Sequence, residues 1–300
     1  MTIPLIADIK RHSLEDGPGI RSVVFFKGCP LRCVFCHNPE MQRTEREIVF
    51  RPERCIKCSE CIAVCPLGAA SLSLPGRIDR RRCDDCGKCA DVCPASALAH
   101  VGRAYEVGEL VELLLRDEAY YRRSGGGVTF SGGECTMFPE YLENLAFALK
   151  GHGIHLLVET AGEFDGAWFV EKILPIVDLI YFDVKLADPA RHRMHTGRDN
   201  RRILANLGLL LRVVPARVQV RIPLVPDITA TKENLKAVAE YLRELGVAKA
   251  ILLPYNPLGQ RMGLRLGRDT PELEETFMSK EDLATAIAMF EEATGCSPRP

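Results

Sequence analysis

Ser22-Val23-Val24-Phe25-Phe26 runs through Lys27 into Gly28-Cys29-Pro30-Leu31-Arg32-Cys33-Val34-Phe35-Cys36-His37-Asn38. A short β-rich run that leads straight into a glycine and three cysteines predicts a strand with a chemically loaded loop at its C-terminal end. The cysteines are spaced C-x₃-C-x₂-C, and no nearby fourth cysteine continues the pattern. A cubane [4Fe–4S] cluster has four irons and is ordinarily held by four thiolates. Three thiolates leave one iron free to bind a small molecule, so such a cluster is a reagent rather than only an electron store. Taken alone, the motif is also compatible with zinc or with three unrelated buried cysteines.

The arrangement of strand followed by motif repeats along the chain. Gly127–Phe130 leads into Ser131-Gly132-Gly133-Glu134, and Ile154–Val158 into Glu159-Thr160-Ala161-Gly162. Asp178–Phe182 leads into Asp183-Val184-Lys185. Val218–Ile222 contains Arg221, and Ala250–Leu253 leads into Pro254-Tyr255-Asn256. Between these runs, apolar residues recur at helical spacing in Glu140–Lys150, Lys232–Gly246 and Glu281–Glu292. Those stripes are core. Strands alternating with helices predict a parallel sheet. Six strands are counted, where a full (β/α)₈ barrel has eight. The expected fold is therefore α/β, a TIM-like partial (β/α)₆ barrel with its active site at the C-terminal strand ends. Its open side suits a large substrate, such as a loop of another protein.

The 300-residue chain has a net charge of −1, which calls for neither nucleic acid nor an anionic membrane. Met1 to Lys10 lacks the pattern of a signal peptide, and no window has the apolar length of a membrane span. A cytoplasmic protein is expected. Thirteen cysteines in that compartment point to metal ligation rather than disulfides. Eleven lie between Cys29 and Cys93; the others are Cys135 and Cys296.

Eight of those eleven form two runs. Cys55, Cys58, Cys61 and Cys65, then Pro66, are repeated by Cys83, Cys86, Cys89 and Cys93, then Pro94. This C-x₂-C-x₂-C-x₃-C-P spacing is that of bacterial two-cluster ferredoxins, in which the fourth cysteine of each run serves the other cluster. One [4Fe–4S] cluster is thus assigned to Cys55, Cys58, Cys61 and Cys93, the other to Cys83, Cys86, Cys89 and Cys65. Zinc on paired C-x₂-C motifs is the competing occupant. The expected organisation is a ferredoxin-like insert over 50–101 within a barrel made of 1–49 and 102–300. So small an insert builds little apolar core, so the clusters themselves are expected to be its core. Arg77-Ile78-Asp79-Arg80-Arg81-Arg82, between the runs, reads as a solvated turn.

Ser131-Gly132-Gly133-Glu134 follows a strand, with glycines for close backbone approach and a glutamate able to accept from an ammonium group. One strand after a three-cysteine loop, it resembles the GGE motif of radical S-adenosylmethionine (radical SAM) enzymes. Asp16-Gly17-Pro18-Gly19-Ile20-Arg21, Val24 to Cys29, and Cys36-His37-Asn38-Pro39-Glu40 carry the resemblance further, to the glycyl-radical-enzyme activating enzymes. Asp183-Val184-Lys185 with His192 and Thr196-Gly197 does the same. The paired-cluster insert is typical of the longer members.

The resemblance implies SAM and three [4Fe–4S] clusters, one binding SAM through Cys29, Cys33 and Cys36 and two of ferredoxin type. It implies reductive cleavage of SAM to a 5′-deoxyadenosyl radical that abstracts a glycine Cα hydrogen from a partner glycyl-radical enzyme. A flavodoxin- or ferredoxin-type donor would supply the electron, and a monomer is expected. Gly132, Gly133 and Glu134 would hold the SAM amino group. Asp183 and Lys185 would line the SAM site, Lys185 close to the chemistry. Arg221 would contact the SAM carboxylate or the barrel interior, and Asp16, Gly17, Pro18 and Gly19 would meet the substrate loop. Glu159 stands where relatives often carry Asp near the SAM carboxylate and a monovalent cation. Asn256 stands where some carry a SAM-contacting histidine. His37 reads as a packing group beside the cluster, Cys135 as a buried structural cysteine, and Cys296 as inert. The alternatives are a radical SAM enzyme acting on a small molecule, and an iron–sulfur electron carrier without catalysis.

Overall fold

A computed structural model describes residues 1–247, 249–270 and 272–294; Cys296 lies outside the described residues. The strands, in chain order, are β1 (Leu5–Ser13), β2 (Arg21–Phe26), β3 (Glu47–Phe50), β4 (Leu98–Val101), β5 (Arg103–Ala104), β6 (Gly127–Gly132), β7 (His155–Thr160), β8 (Leu179–Asp183), β9 (Val218–Pro223) and β10 (Ala250–Leu253). The main sheet has eight strands in the order β10-β9-β8-β7-β6-β2-β1-β5. From β10 to β2 every pairing is parallel. These are the six strands expected from the alternation. β1 and β5 extend the edge antiparallel. Among the described residues β10 and β5 do not pair, so the sheet stays open.

The count of six missed β1 for a physical reason. Its residues Leu5–Ser13 are mostly exposed or half-buried, and charges at Asp8, Lys10 and Arg11 blur the alternation. Register shifts between Ile6 and Asp8 and between Lys10 and Ser13 break it further.

Period-two alternation decides what each strand contributes. Val128 and Phe130, Leu156 and Val158, Ile180 and Phe182, Val220 and Ile222 join the main hydrophobic core. They pack there with Leu142, Leu145, Leu149, Leu235, Val238 and Leu242 from the helices Pro139–Gly151 and Lys232–Glu244. Burying each such side chain stabilises by about 1.5–3 kcal/mol. Apart from Leu157, the alternate residues of β6 to β9 that the site uses are polar: Thr129, Ser131, Glu159, Tyr181, Asp183 and Arg221.

Between β3 and β4 lie the eight paired-run cysteines. The two strands pair antiparallel, Glu47 opposite Val101 and Phe50 opposite Leu98. Their apolar core is small: Ile48, Phe50, Ala69, Ile78, Ala97 and Leu98, with Cys55, Cys61, Cys65, Cys83, Cys89 and Cys93 packed against it. The Arg77–Arg82 segment is not the solvated turn expected from its charge. Arg77 is 6 % and Ile78 7 % exposed. Arg80 is also tied in, donating to Ile48 O at 2.6 Å. Arg81, 93 % exposed, and Arg82, also exposed, behave as expected. An ion cluster joins this region to the barrel: the buried Lys27 Nζ lies 2.7 Å from the buried Glu47 Oε2, and the half-buried Arg268 lies 2.5 Å from Glu47 Oε1. No helix among the described residues is long and apolar enough to cross a membrane.

Candidate active site

The Cys29–Cys36 loop is held from three sides. Gly28 N donates to Met41 O at 2.7 Å and Cys29 N to Gln42 O at 3.0 Å. Gln42 Nε2 reaches Cys33 O at 3.2 Å. From the other side Arg32 N donates to Thr196 O at 2.7 Å and Val34 N to His195 O at 2.9 Å. The buried His192 fixes this brace, its Nδ1 lying 2.6 Å from Arg198 O and 3.0 Å from Thr196 Oγ1. That explains the His192 and Thr196-Gly197 motif: it holds the loop from outside. β6 is the third support. A Cβ on Gly133 would stand 2.1 Å from Gly28 O and 2.5 Å from Met41 O, so only glycine fits. Burial pushes the Cys29, Cys33 and Cys36 thiols up to about 12. Metal ligation is what would hold them as thiolates.

Below the loop the inward polar residues form one network. Arg221 Nη1 is 2.6 Å from Glu159 Oε1 and its Nε 2.9 Å from Asp183 Oδ1. Lys185 Nζ is 3.2 Å from Asp183 Oδ2, and Ser131 Oγ donates to Glu159 Oε2 at 2.5 Å. The Arg221 guanidinium lies 5.0 Å from the centre of the Tyr181 ring. Two carboxylates and two cations make the group neutral overall. Burial acts to raise the Asp183 pKa, but Arg221 and Lys185 outweigh it and hold the carboxyl below the usual range. Burial dominates at Glu159 and holds its carboxyl above that range despite Arg221. Burial likewise opposes the charge on Lys185, but Asp183 and the neighbouring thiols keep its pKa raised.

A cavity of about 310 Å³ joins loop and network. It is lined by Cys29, Cys33, Cys36, Ser131, Gly132, Gly133, Glu159, Asp183, Lys185, Arg221, His37 and Asn256, among others. Asn256 Oδ1 also accepts from Leu258 N at 3.0 Å, which fixes its side chain at the rim.

Glu134 is not among the lining residues. Its carboxylate is 1 % exposed and accepts from Thr136 Oγ1 at 2.7 Å, Thr160 Oγ1 at 3.0 Å and Ala161 N at 2.8 Å. The expectation that this glutamate is free to receive an ammonium group does not fit the geometry. The carboxylate ties the end of β6 to the end of β7, and glycine backbone faces the cavity instead. Thr160→Val removes one donor from a buried carboxylate. It is expected to destabilise the chain by about 1–3 kcal/mol in denaturant unfolding.

Asp16–Gly19 lies away from the cavity, at the N-terminal ends of the strands. Asp16 O accepts from Thr129 Oγ1 at 2.8 Å, and the Asp16 carboxylate is 3.3 Å from Lys10 Nζ. A Cβ on Gly19 would stand 2.4 Å from Gly126 N, beside the start of β6. A Cβ on Gly17, at φ +129°, would stand 2.7 Å from Leu157 Cδ1, so the strip underlies the barrel interior. Cys135 is fully buried, as a structural cysteine should be, and burial holds its thiol protonated.

Two further cavities divide the remaining cysteines. Cys55, Cys58, Cys61 and Cys93 line one; Cys65, Cys83, Cys86 and Cys89 line the other. Four thiols around a void is the donor set a cube needs, and three around the larger cavity the set that leaves one iron open. Among the described residues no three His, Cys, Asp or Glu side chains are grouped to hold a metal ion. A cube spreads its thiolates, one to each iron, whereas zinc gathers four ligands on one ion. The sequence carries no signal for Gln42, and although Ser131 and Thr160 fall within strand-end motifs, nothing in their spacing marks them as contacts of Glu159 and Glu134.

Comparison with known proteins gives consistent results. A family model described as "4Fe-4S dicluster domain" matches residues 54–98, and one described as "4Fe-4S single cluster domain" matches 15–64. The benzylsuccinate synthase activating enzyme of Thauera aromatica is 43 % identical over 89 % of this chain and 83 % of its own length. The choline trimethylamine-lyase activating enzyme of Oleidesulfovibrio alaskensis is 40 % identical over 93 % of this chain and 92 % of its own. A crystal structure of a radical SAM methyltransferase from Sphaerobacter thermophilus shares the fold at TM-score 0.55. It is 16 % identical, covering 99 % of this chain and 76 % of that one.

Proposed function

The chain belongs to the glycyl-radical-enzyme activating enzymes, and from that membership we propose how its residues divide the work. It is a radical SAM enzyme that acts on a protein, a partner glycyl-radical enzyme. When bound, the cluster and SAM supply reductive cleavage to the 5′-deoxyadenosyl radical, which abstracts a hydrogen from one glycine Cα.

In this reading Cys29, Cys33 and Cys36 hold the SAM-binding cluster, and the other eight cysteines hold two more. The backbone of Ser131–Gly133 and the acids Glu159 and Asp183 accept from the SAM ammonium. Lys185 and Arg221 donate to its carboxylate, and Asn256 closes the rim. A zwitterionic ligand end set into a neutral four-charge network exchanges partners without leaving a buried charge bare. A monovalent cation here would have to share Glu159 with Arg221 and Ser131. Asp16–Gly19, beneath the interior, is assigned to contact with a substrate loop entering from the open edge. The insert boundaries of 50–101, a flavodoxin- or ferredoxin-type reductant, a monomeric state and a cytoplasmic location complete the reading. The observation that carries it is the single cavity shared by the three-cysteine loop and the Glu159–Asp183–Lys185–Arg221 network.

The test is anaerobic. The reconstituted chain, reduced with dithionite, should convert SAM to 5′-deoxyadenosine and methionine. With its partner glycyl-radical enzyme added, it should give a glycyl EPR doublet. Cys33→Ala should abolish both products and lower bound iron from about twelve to about eight per chain, four irons leaving with one cube. Deoxyadenosine formed equally well by Cys33→Ala would overturn the assignment.

A further inference from the structure

The two insert cavities do not carry the same charge. Arg77 belongs to the first, which it lines together with Cys55, Cys58, Cys61 and Cys93. Its Nη2 is 3.2 Å from Cys55 Sγ, and its guanidinium lies 5.4 Å from the centre of the Phe50 ring. The side chain is buried, and Nε has no hydrogen-bond partner. Nη1 reaches only a carbonyl, Ser71 O, at 3.2 Å. Among the described residues no carboxylate pairs with it.

Burying an unpaired guanidinium costs several kcal/mol, so an anion is wanted where the group points. The backbone is held to aim it there. Arg77 sits at φ +64°, a conformation unusual for a non-glycine residue. Arg77 O accepts from Ser71 N at 2.9 Å, and Arg77 N donates to Leu74 O at 3.0 Å. The Ala70–Ile78 bridge closes the same turn. A strained residue that places a buried charge is a reason to look for a function.

Among the described residues no arginine lines the second cavity. Asp84 lines it, and Asp85 N donates to Cys83 Sγ at 3.4 Å. Arg80 partly offsets these acids, at 3.4 Å from the Asp85 carboxylate. Each cavity is lined by one lysine, Lys57 or Lys88, and one acid, Glu60 or Asp84, so these cancel in the comparison and Arg77 is the difference.

We propose that Arg77 is the counter-charge of the iron–sulfur cluster held by Cys55, Cys58, Cys61 and Cys93, and that it sets this cluster's reduction potential above that of its twin. The proposal rests on the reading that the eight cysteines hold two clusters. Reduction adds one electron from an external reductant and no proton, so the cluster becomes more negative. A fixed cation beside the thiolates favours that state, and neighbouring carboxylates disfavour it. The pair is then directional: an electron shared between them settles on the Arg77 side.

The test uses the full chain carrying Cys29→Ala, Cys33→Ala and Cys36→Ala, so that only the insert clusters report. Iron analysis should give about eight irons per chain, two cubes. About four or fewer would refute the two-cluster reading itself, independently of Arg77. EPR-monitored titration with dithionite and redox mediators should then resolve two one-electron waves. Adding Arg77→Gln should move the higher wave downward and leave the lower one in place, so that the two converge. Arg77→Lys, which keeps the charge, should retain most of the separation. Loss of one cube in Arg77→Gln but not in Arg77→Lys would support the same counter-charge role. Unmoved waves, an equal shift of both, or identical behaviour of the Gln and Lys variants would overturn the proposal.

Discussion

Arg221→Met is expected to destabilise the folded chain by about 3–5 kcal/mol and to abolish SAM cleavage, while the insert clusters remain loaded. Among the described residues Arg221 alone is bonded to both Glu159 and Asp183, at 2.6 and 2.9 Å. Without it two half-enclosed carboxylates are left with one neighbouring ammonium, that of Lys185, which among the described residues pairs with Asp183. The pH dependence should steepen, because in the native chain only Glu159 of this pair is held above the ordinary carboxyl range. In the native chain Asp183 is held below the ordinary carboxyl range, with Arg221 and Lys185 overcoming the effect of burial. Its contribution is therefore present above the unfolded pKa, about 3.9, and fades as pH falls through the lower folded value. In the methionine variant burial faces only Lys185, and the folded carboxyls titrate above their unfolded values. Stability should then fall as pH rises from about 4 to about 7. Urea titrations of both proteins across that range decide it. Equal slopes would mean that the network is not the electrostatic unit described here. Arg221→Lys should recover part of the stability but little activity, since one ammonium cannot bridge both acids as the planar guanidinium does.

The parts of this fold that were legible in the sequence share a property: each repeats. The six parallel strands alternate, the helices show their stripes, and the cysteines fall in counted spacings. β1 was hidden because an edge strand with one solvated face carries charges where alternation would show. Arg77 was hidden for the opposite reason. In a run of four arginines, composition says solvent, and only the turn closed by Ala70 and Ile78 shows that one of them points inward. Glu134 shows a third limit. Its motif marks the right place beside the cavity, but which atoms face the ligand depends on Thr160 and Ala161, one strand away. A motif locates chemistry along the chain; the partner strand decides whether side chain or backbone performs it.

Glu47→Gln is expected to cost about 3–5 kcal/mol, a large share of the 5–15 kcal/mol that typically separates folded from unfolded chains. Glu47 begins β3, where the chain leaves the barrel for the cysteine-rich segment, and it receives Lys27 at 2.7 Å and Arg268 at 2.5 Å. Lys27 is fully buried and stands one residue before Gly28 and two before Cys29. Its ammonium also donates to Glu40 O at 2.7 Å. Burial already holds the Lys27 pKa below its ordinary value, and Glu47 is the chief group resisting that. The glutamine variant leaves the buried Lys27 beside the half-buried Arg268 with no carboxylate between them, so Lys27 must lose its proton or the site must open. A folded-state lysine pKa pushed further down means that the unfolded chain binds more protons, so stability should rise with pH toward about 10.4. The deficit against the native chain should therefore be largest near neutral pH and shrink in alkali. Because Lys27 leads directly into the three-cysteine loop, SAM cleavage should fall with stability and recover with it at higher pH. A Glu47→Gln chain within about 1 kcal/mol of the native one at pH 7 would show that the site admits water, and that the buried pair is not what fixes the cysteine-rich segment to the barrel.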